Sequence, residues 1–299
     1  MSFDVRVAIE SPALLGEGPV WHVGEQALWY CDIPARRIHR LVPATGAQSE
    51  WLFHADVGSF APCRDGRFVV ALRDGLWRFD PARDERVRLV PAPYDPADAR
   101  FNDGKCDPSG RFWVGSIDEP RRPGRAGLWC FDAGVLTRRQ SGITVSNGLA
   151  WSPDGRTMYW SDTAAHTVWA FDYAPESGAM TARRVFARFA PKLAQGLAGY
   201  GGRPDGAAVD AEGCYWVAMY EGGRVLRLSP MGEVVTEVRM PARCPTMTCF
   251  GDADLKTIYV TSAGRDRPPE ERAEYPHPGS TFSFRVDVPG VPVALAAPV

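Results

Sequence analysis

The chain of 299 residues is short of lysine, of long apolar runs and of net charge. Lysine stands only at positions 105, 192 and 256, and arginine supplies nearly every other basic side chain. We take this as a coding bias rather than a chemical signal. The formal net charge is −2, which leaves no electrostatic footprint for nucleic acid or for an anionic membrane. No apolar run approaches the ~20 residues of a membrane-spanning helix. The opening "MSFDVRVAIESPALLGEGPVW" has no basic stretch leading into an apolar one, so a cytoplasmic protein is expected. The seven cysteines are odd in number and never spaced C-x-x-C. That argues against a disulfide framework or a zinc cluster, and for small buried apolar residues in a reducing compartment. The five histidines form no H-x-x-H pair, there is no G-x-S-x-G, and no G-K-[ST] follows the glycine-rich "GYGGRPDG". These absences argue against a histidine zinc site, a serine-hydrolase elbow and a phosphate loop.

Helical periodicity is scarce too. Short runs rich in Val, Trp, Tyr and Phe take its place, punctuated by Gly, Pro, Asp and Asn, which is the signature of many short strands. One unit recurs. It has a polar residue beside a glycine, an apolar strand, a turn containing D-x-x-G or x-D-G, and an aromatic second strand. The second strands are "ALWYCDI", "RFVVAL", "RFWVGS", "TMYWSDT", "CYWVAM" and "TIYVTSA", six units at a period of about 40–57 residues. A sheet of three or four antiparallel strands cannot bury both its faces. Six such sheets packed around an axis can, so the expected fold is all-β, a six-bladed β-propeller with an axial site, in one domain over 1–299. A β-sandwich or a two-domain β protein would leave six copies of one unit unexplained. "FDVRVAIE" precedes the first complete unit and is expected to supply the outer strand of the last blade; the C-terminal "VPVALA" is a second candidate for that role. The irregular stretch 190–204 runs directly into Asp205 and is expected to border or cover the site.

The first strand of each propeller blade lines the central channel, and its starting end opens onto one face. Those starts read Glu17-Gly18, Asn102-Asp103-Gly104, Asn147-Gly148 and Asp205-Gly206. Asn102, Asn147 and Asp205 each stand eight residues before a turn glycine, at Gly110, Gly155 and Gly213, and Glu17 is within one residue of that register counted to Gly24. Equal spacing implies equal height in the channel. The other two units offer Gly58-Ser59 and Thr246. Carboxylates and amides converging in an interior are costly unless something compensates them, and a divalent cation does so. Two carboxylates with one or two amide oxygens suit Ca²⁺, Mg²⁺ or Mn²⁺, and Zn²⁺ accepts oxygen ligands in open sites.

The stretches "LLGEGPVW", "RFNDGKCDPSGRFWVGS", "SNGLAWSPDGRTMYWSDT", "RPDGAAVDAEGCYWVAMYEGGRV" and "CFGDADLKTIYVTSA" resemble, in order, the senescence-marker/gluconolactonase/luciferin-regenerating family. The resemblance spans about residues 14–290. It implies a six-bladed propeller, one divalent metal held by Glu17, Asn147 and Asp205, substrate contacts from Arg100 and Asn102, and hydrolysis of sugar lactones. Family members often carry a further acidic substrate contact; here "GSIDEPRRPG" offers Asp118 or Glu119, of which Glu119 is assigned to substrate binding. Hydrolysis also needs a group to take a proton from water. Asp205 is the first candidate and Asp103 the second, although strand alternation turns Asp103 away from the channel. The expected partner is therefore a small sugar lactone, with no nucleic acid and no membrane. Two other readings stand beside it: a non-catalytic metal-binding or ligand-sensing propeller, and a hydrolase of other esters or organophosphates.

Overall fold

The structure, a computed structural model, describes residues 3–10, 13–193, 196, 197 and 199–299. A short strand, β1 (Arg6–Ile9), comes first. Blade one is β2 (Gly16–His22), β3 (Ala27–Asp32), β4 (Arg37–Val42) and β5 (Ala47–Leu52). Blade two is β6 (Val57–Pro62), β7 (Phe68–Leu72), β8 (Gly75–Asp80) and β9 (Glu85–Pro91). Blade three is β10 (Ala99–Cys106), β11 (Phe112–Asp118), β12 (Ala126–Asp132) and β13 (Val135–Ile143). Blade four is β14 (Ser146–Trp151), β15 (Thr157–Asp162), β16 (Thr167–Ala174) and β17 (Ala179–Arg188). Blade five is β18 (Arg203–Val209), β19 (Tyr215–Tyr220), β20 (Arg224–Leu228) and β21 (Val234–Arg239). Blade six is β22 (Pro245–Gly251), β23 (Thr257–Ser262) and β24 (Thr281–Arg285), completed on its outer edge by β1. Among the described residues, no helix is long and apolar enough to cross a membrane.

Every sheet is an antiparallel meander, and each inner strand (β2, β6, β10, β14, β18, β22) lies beside the inner strands of its neighbours. The hydrophobic effect acts between the blades rather than within them. Six separate apolar cores fill the six gaps between adjacent blades. The tryptophans do much of this filling: Trp29 of blade one meets Phe68 of blade two at 4.5 Å between centroids. Trp21 stacks on Tyr259 of blade six at 5.8 Å, so the first and last blades also meet face to face. The ring closes by hydrogen bonding as expected from "FDVRVAIE", with Arg6 opposite Ser283 and Val7 opposite Phe282. All seven cysteines are free and buried.

The C-terminal run does not join that blade. It crosses the face of the disc where the inner strands end, as a strap. The Val291 N–H donates to Val209 O at 3.0 Å, Ala296 N–H to Pro62 O at 2.8 Å and Ala297 N–H to Gly110 O at 2.9 Å. Pro289 and Pro292 explain the difference: a proline offers no N–H to a ladder, so this stretch ties separate turns instead of pairing along a strand.

All six inner strands carry a β-bulge at their starting end. The register slips between Glu17 and Val20, Val57 and Ser59, Phe101 and Gly104, Asn147 and Ala150, Pro204 and Ala207, and Pro245 and Met247. A bulge re-aims the side chain it carries. This accounts for the recurring polar–Gly pair, most clearly at Gly148. Its φ is +64°, a region that favours glycine, and a Cβ there would lie 2.3 Å from the Tyr215 hydroxyl. The bulge thus turns Asn147 inward while glycine lets the next blade's side chain approach the backbone.

Candidate active site

The starting end of the channel opens into a cavity of about 550 Å³. Glu17, Arg100, Asn102, Asn147 and Asp205 line it, from blades one, three, three, four and five. These side chains come from four blades, and each is at most 8% exposed. The residues with matched spacing to the turn glycines thus line one cavity.

A chain of hydrogen bonds runs across the three polar blades. Arg100 Nη1 donates to Asn102 Oδ1, Asn102 Nδ2 to Asn147 Oδ1, and Asn147 Nδ2 to Thr163 Oγ1, each at 2.7 Å. Thr163 Oγ1 donates in turn to Pro204 O at 2.7 Å, next to Asp205. Asn102 spends its second amide hydrogen on Ser146 O at 2.9 Å. The relay fixes both amides, so Asn147 Oδ1 faces the cavity with one lone pair still free.

The carboxylates stand outside this relay. Among the described residues no hydrogen bond reaches the Asp205 carboxylate, and that of Glu17 receives only its neighbour's Gly18 N–H, at 3.3 Å. Burial and then the Asp103 charge push the Asp205 carboxyl up to about 8. Burial, followed by the charges of Asp205 and Asp103, holds Glu17 well above its usual range. Two buried, unpaired carboxylates facing one cavity destabilise one another until a cation joins them. The donor set is oxygen only, and no cluster of three or more His, Cys, Asp or Glu side chains gathers among the described residues. Two carboxylates and an oriented amide oxygen fit a hard divalent cation, with positions left open for water or ligand.

Two of the residues picked from the sequence lie elsewhere. Asp103 points away from this cavity: Oδ2 accepts the Leu149 N–H at 2.9 Å, and Oδ1 is buried without a partner. Its position between Asn102 and Gly104 on a bulged strand puts it on the opposite side from Asn102, as alternation requires. Glu119 is not in the lining either. Arg73 holds it at 2.8 and 3.0 Å, and it stands behind Arg100, with Nε at 3.7 Å. Asp118 is taken by Arg122, through Nε at 3.1 Å. Of the stretch 190–204, Arg203 lines the cavity, while Ala194, Gln195 and Ala198 lie outside the described residues.

The sequence reading passed over Arg203, Arg121 and Tyr220, which also line the cavity. Arg203 had a signal. It precedes Asp205 by two residues on β18, as Arg100 precedes Asn102 on β10, and residues two apart on a strand share a side. Arg121 sits in the turn between β11 and β12, where no periodicity applies.

Fold and site together define a six-bladed propeller enclosing an amide-braced pocket with two unbonded carboxylates at one mouth of its channel. The chain belongs to the SMP-30/gluconolactonase/LRE-like family, whose pattern matches residues 15–264. It is 42% identical over 298 residues to a 6-deoxy-6-sulfogluconolactonase of Pseudomonas putida, covering 99% of this chain and 100% of that one. It is 33% identical to regucalcin of Gallus gallus over 287 residues, 93% of each chain. A crystal structure of a calcium-binding protein, regucalcin, from Agrobacterium tumefaciens superposes with a TM-score of 0.92 at 27% identity, covering 100% of this chain and 99% of that one.

Proposed function

We propose that the protein is a metal-dependent sugar lactonase that opens an aldono- or uronolactone of the gluconolactone type to its acid, the whole chain acting as one domain. That it is a lactonase, a carboxylic ester hydrolase, rests on family membership and on the sulfogluconolactonase relative. The observation that carries the mechanism is the pair Glu17 and Asp205, two buried carboxylates with almost no hydrogen bonds, beside a braced Asn147.

Glu17, Asn147 and Asp205 are the residues that would hold the cation. When bound, it supplies Lewis acidity at the lactone carbonyl and lowers the pKa of water. The chain's own groups do the rest. Asp205 has no donor holding it and takes the proton as water oxygen bonds to the carbonyl carbon. The ring C–O bond then breaks, and the departing ring oxygen receives the proton as a hydroxyl. Asn102 Oδ1, kept in place by Arg100, accepts from a sugar hydroxyl, and this fixes the ring over the carboxylates. Gluconolactone and 6-deoxy-6-sulfogluconolactone, the substrate in the Pseudomonas relative's name, head the panel of candidates.

The test is proton release from a panel of aldonolactones and glucarolactones. Protein stripped with EDTA is given back Ca²⁺, Zn²⁺, Mn²⁺ or Mg²⁺, with Asp205→Ala alongside. Turnover that returns with a metal and is lost in the variant is the expected result. Tight metal binding with no turnover on any lactone would overturn it in favour of a sensing propeller.

A further inference from the structure

Three arginines line the cavity, and they are not equivalent. The Arg100 charge is answered: its guanidinium bonds Phe101 O at 2.9 Å and Asn102 Oδ1 at 2.7 Å, and Glu119 stands at 3.7 Å. Arg203 is only half answered. Glu221 Oε2 lies 3.3 Å from it, but the same carboxylate meets Lys192 at 3.2 Å, so one negative charge faces two positive ones. Arg203 Nε is buried with no partner, and the guanidinium lies 5.1 Å over the Tyr220 ring, which sets its plane. Arg121 has no carboxylate within 4.0 Å among the described residues. It reaches in from an exposed turn at φ +60°, a conformation that costs a non-glycine residue about 1–2 kcal/mol. Partial burial and then the like charge of Arg203 lower its pKa. Neither arginine comes within 4.0 Å of Asp205. Two like charges thus converge on one wall of the cavity, one in a disfavoured backbone conformation, and among the described residues Asp205 attracts them only from beyond 4.0 Å.

Building on the lactonase reading, we propose that Arg121 and Arg203 form a subsite for an oxyanion at the end of the sugar remote from the lactone carbonyl. The preferred substrate is then a lactone carrying a carboxylate or sulfonate there rather than a neutral one. Height supports the assignment. Arg203 precedes Asp205 by two strand residues, a rise of ~7 Å, which is roughly the reach from a lactone carbonyl to the far end of a six-carbon sugar. The guanidinium fork suits a planar or tetrahedral oxyanion, and a bound anion removes the repulsion between the two arginines. A neutral hydroxymethyl group offers this wall nothing comparable.

The test compares neutral D-gluconolactone with D-glucarolactone and 6-deoxy-6-sulfo-D-gluconolactone on the metal-loaded protein. It reads the ratio of kcat/KM, oxyanion lactone over neutral lactone, in wild type, Arg121→Gly and Arg203→Gln. Glycine suits φ +60°, so Arg121→Gly is expected to fold. Wild type is expected to favour an oxyanion lactone, and each variant to lower the ratio on the order of 10- to 100-fold. Whether the carboxylate or the sulfonate loses more tells which oxyanion the wall fits. A ratio unmoved by both variants, or an equal fall on all three lactones, overturns the proposal. Calorimetric binding of glucarate against gluconate needs no turnover. If no lactone is hydrolysed, the lactonase reading falls, and the subsite is still decided: a glucarate preference lost in Arg121→Gly supports it, and a preference absent or unchanged refutes it.

Discussion

Asp205 lies near the start of one inner strand and Asp210, five residues on, just past its end, and their surroundings are opposite. Asp210 is fully buried and accepts from Glu212 N–H, Cys214 N–H, Trp216 Nε1 and Arg227 Nε, at 2.8 to 3.0 Å. Asp205 is nearly as buried and accepts from none of the described residues. Asp107 repeats the Asp210 arrangement in blade three, bonding Arg111 and Trp113. One carboxylate therefore knits turn, tryptophan and arginine together, and the other has no hydrogen-bond partner among the described residues. Substitution should separate the two roles. Asp205→Asn is expected to lower kcat by about 10²- to 10⁴-fold, while the Tm of metal-free protein above pH 8 stays or rises because an uncompensated buried charge is removed. Asp210→Ala should do the reverse. Loss of a buried ion-pair partner costs about 3–5 kcal/mol in denaturant unfolding, with activity per folded molecule retained. A large loss of stability in Asp205→Asn would show that its carboxylate is structural after all.

The same contrast explains what was legible in the sequence. "NDGKCDPSGRFWVGS" and "DGAAVDAEGCYWVAM" superpose because both carry a bulge at the mouth and an Asp–turn–Trp knot at the far end. Those are local devices, and local devices leave fixed spacings. Ring closure by β1 was readable for the same reason, since a strand with no partner of its own had to pair somewhere. The C-terminal strap was not readable. Its alternating apolar residues imitate a strand, and its destinations at Pro62, Gly110 and Val209 belong to three different blades. Arg121 was invisible because a turn residue's direction depends on the turn, and Glu119 stands outside the lining because Arg73, 46 residues away, draws it aside.

The buried carboxylates at the mouth also make stability depend on pH. Asp205 and Glu17 hold their protons above the ordinary carboxylate range, so at these two groups the folded chain binds more protons than the unfolded one. The sign follows from linkage: stability falls as pH rises from the unfolded carboxylate value of 3.8 towards about 8. Metal-free protein should therefore lose Tm over that window, and Asp205→Asn should flatten the loss. A divalent cation should act in the opposite sense, since it needs the carboxylates ionised. Its stabilisation at pH 8, about 2.7 kcal/mol at a hundredfold excess over Kd, should exceed that at pH 5. Thermal unfolding at both pH values with and without cation measures this; a metal effect independent of pH would place the cation away from Glu17 and Asp205.

The smallest effect is expected at Glu119, and it compares a residue in the cavity with one behind it. Glu119 bonds Arg73 and leaves a counter-charge 3.7 Å from Arg100, while its own side chain is 40% exposed. Solvent screens such a pair, so its removal is worth about 1 kcal/mol at most. Glu119→Gln should relax Arg100, loosen the amide of Asn102 and raise KM about 3- to 5-fold with kcat nearly unchanged. Arg73 keeps Asp56 at 2.7 Å, so the fold should not suffer. The split between the two constants is what discriminates. A residue touching the reacting ring would lose kcat when changed, as Asp205 should. A fall in kcat for Glu119→Gln would mean that its carboxylate swings past Arg73 into the cavity when a lactone binds, and would return Glu119 to the contact expected from its place after "GSID".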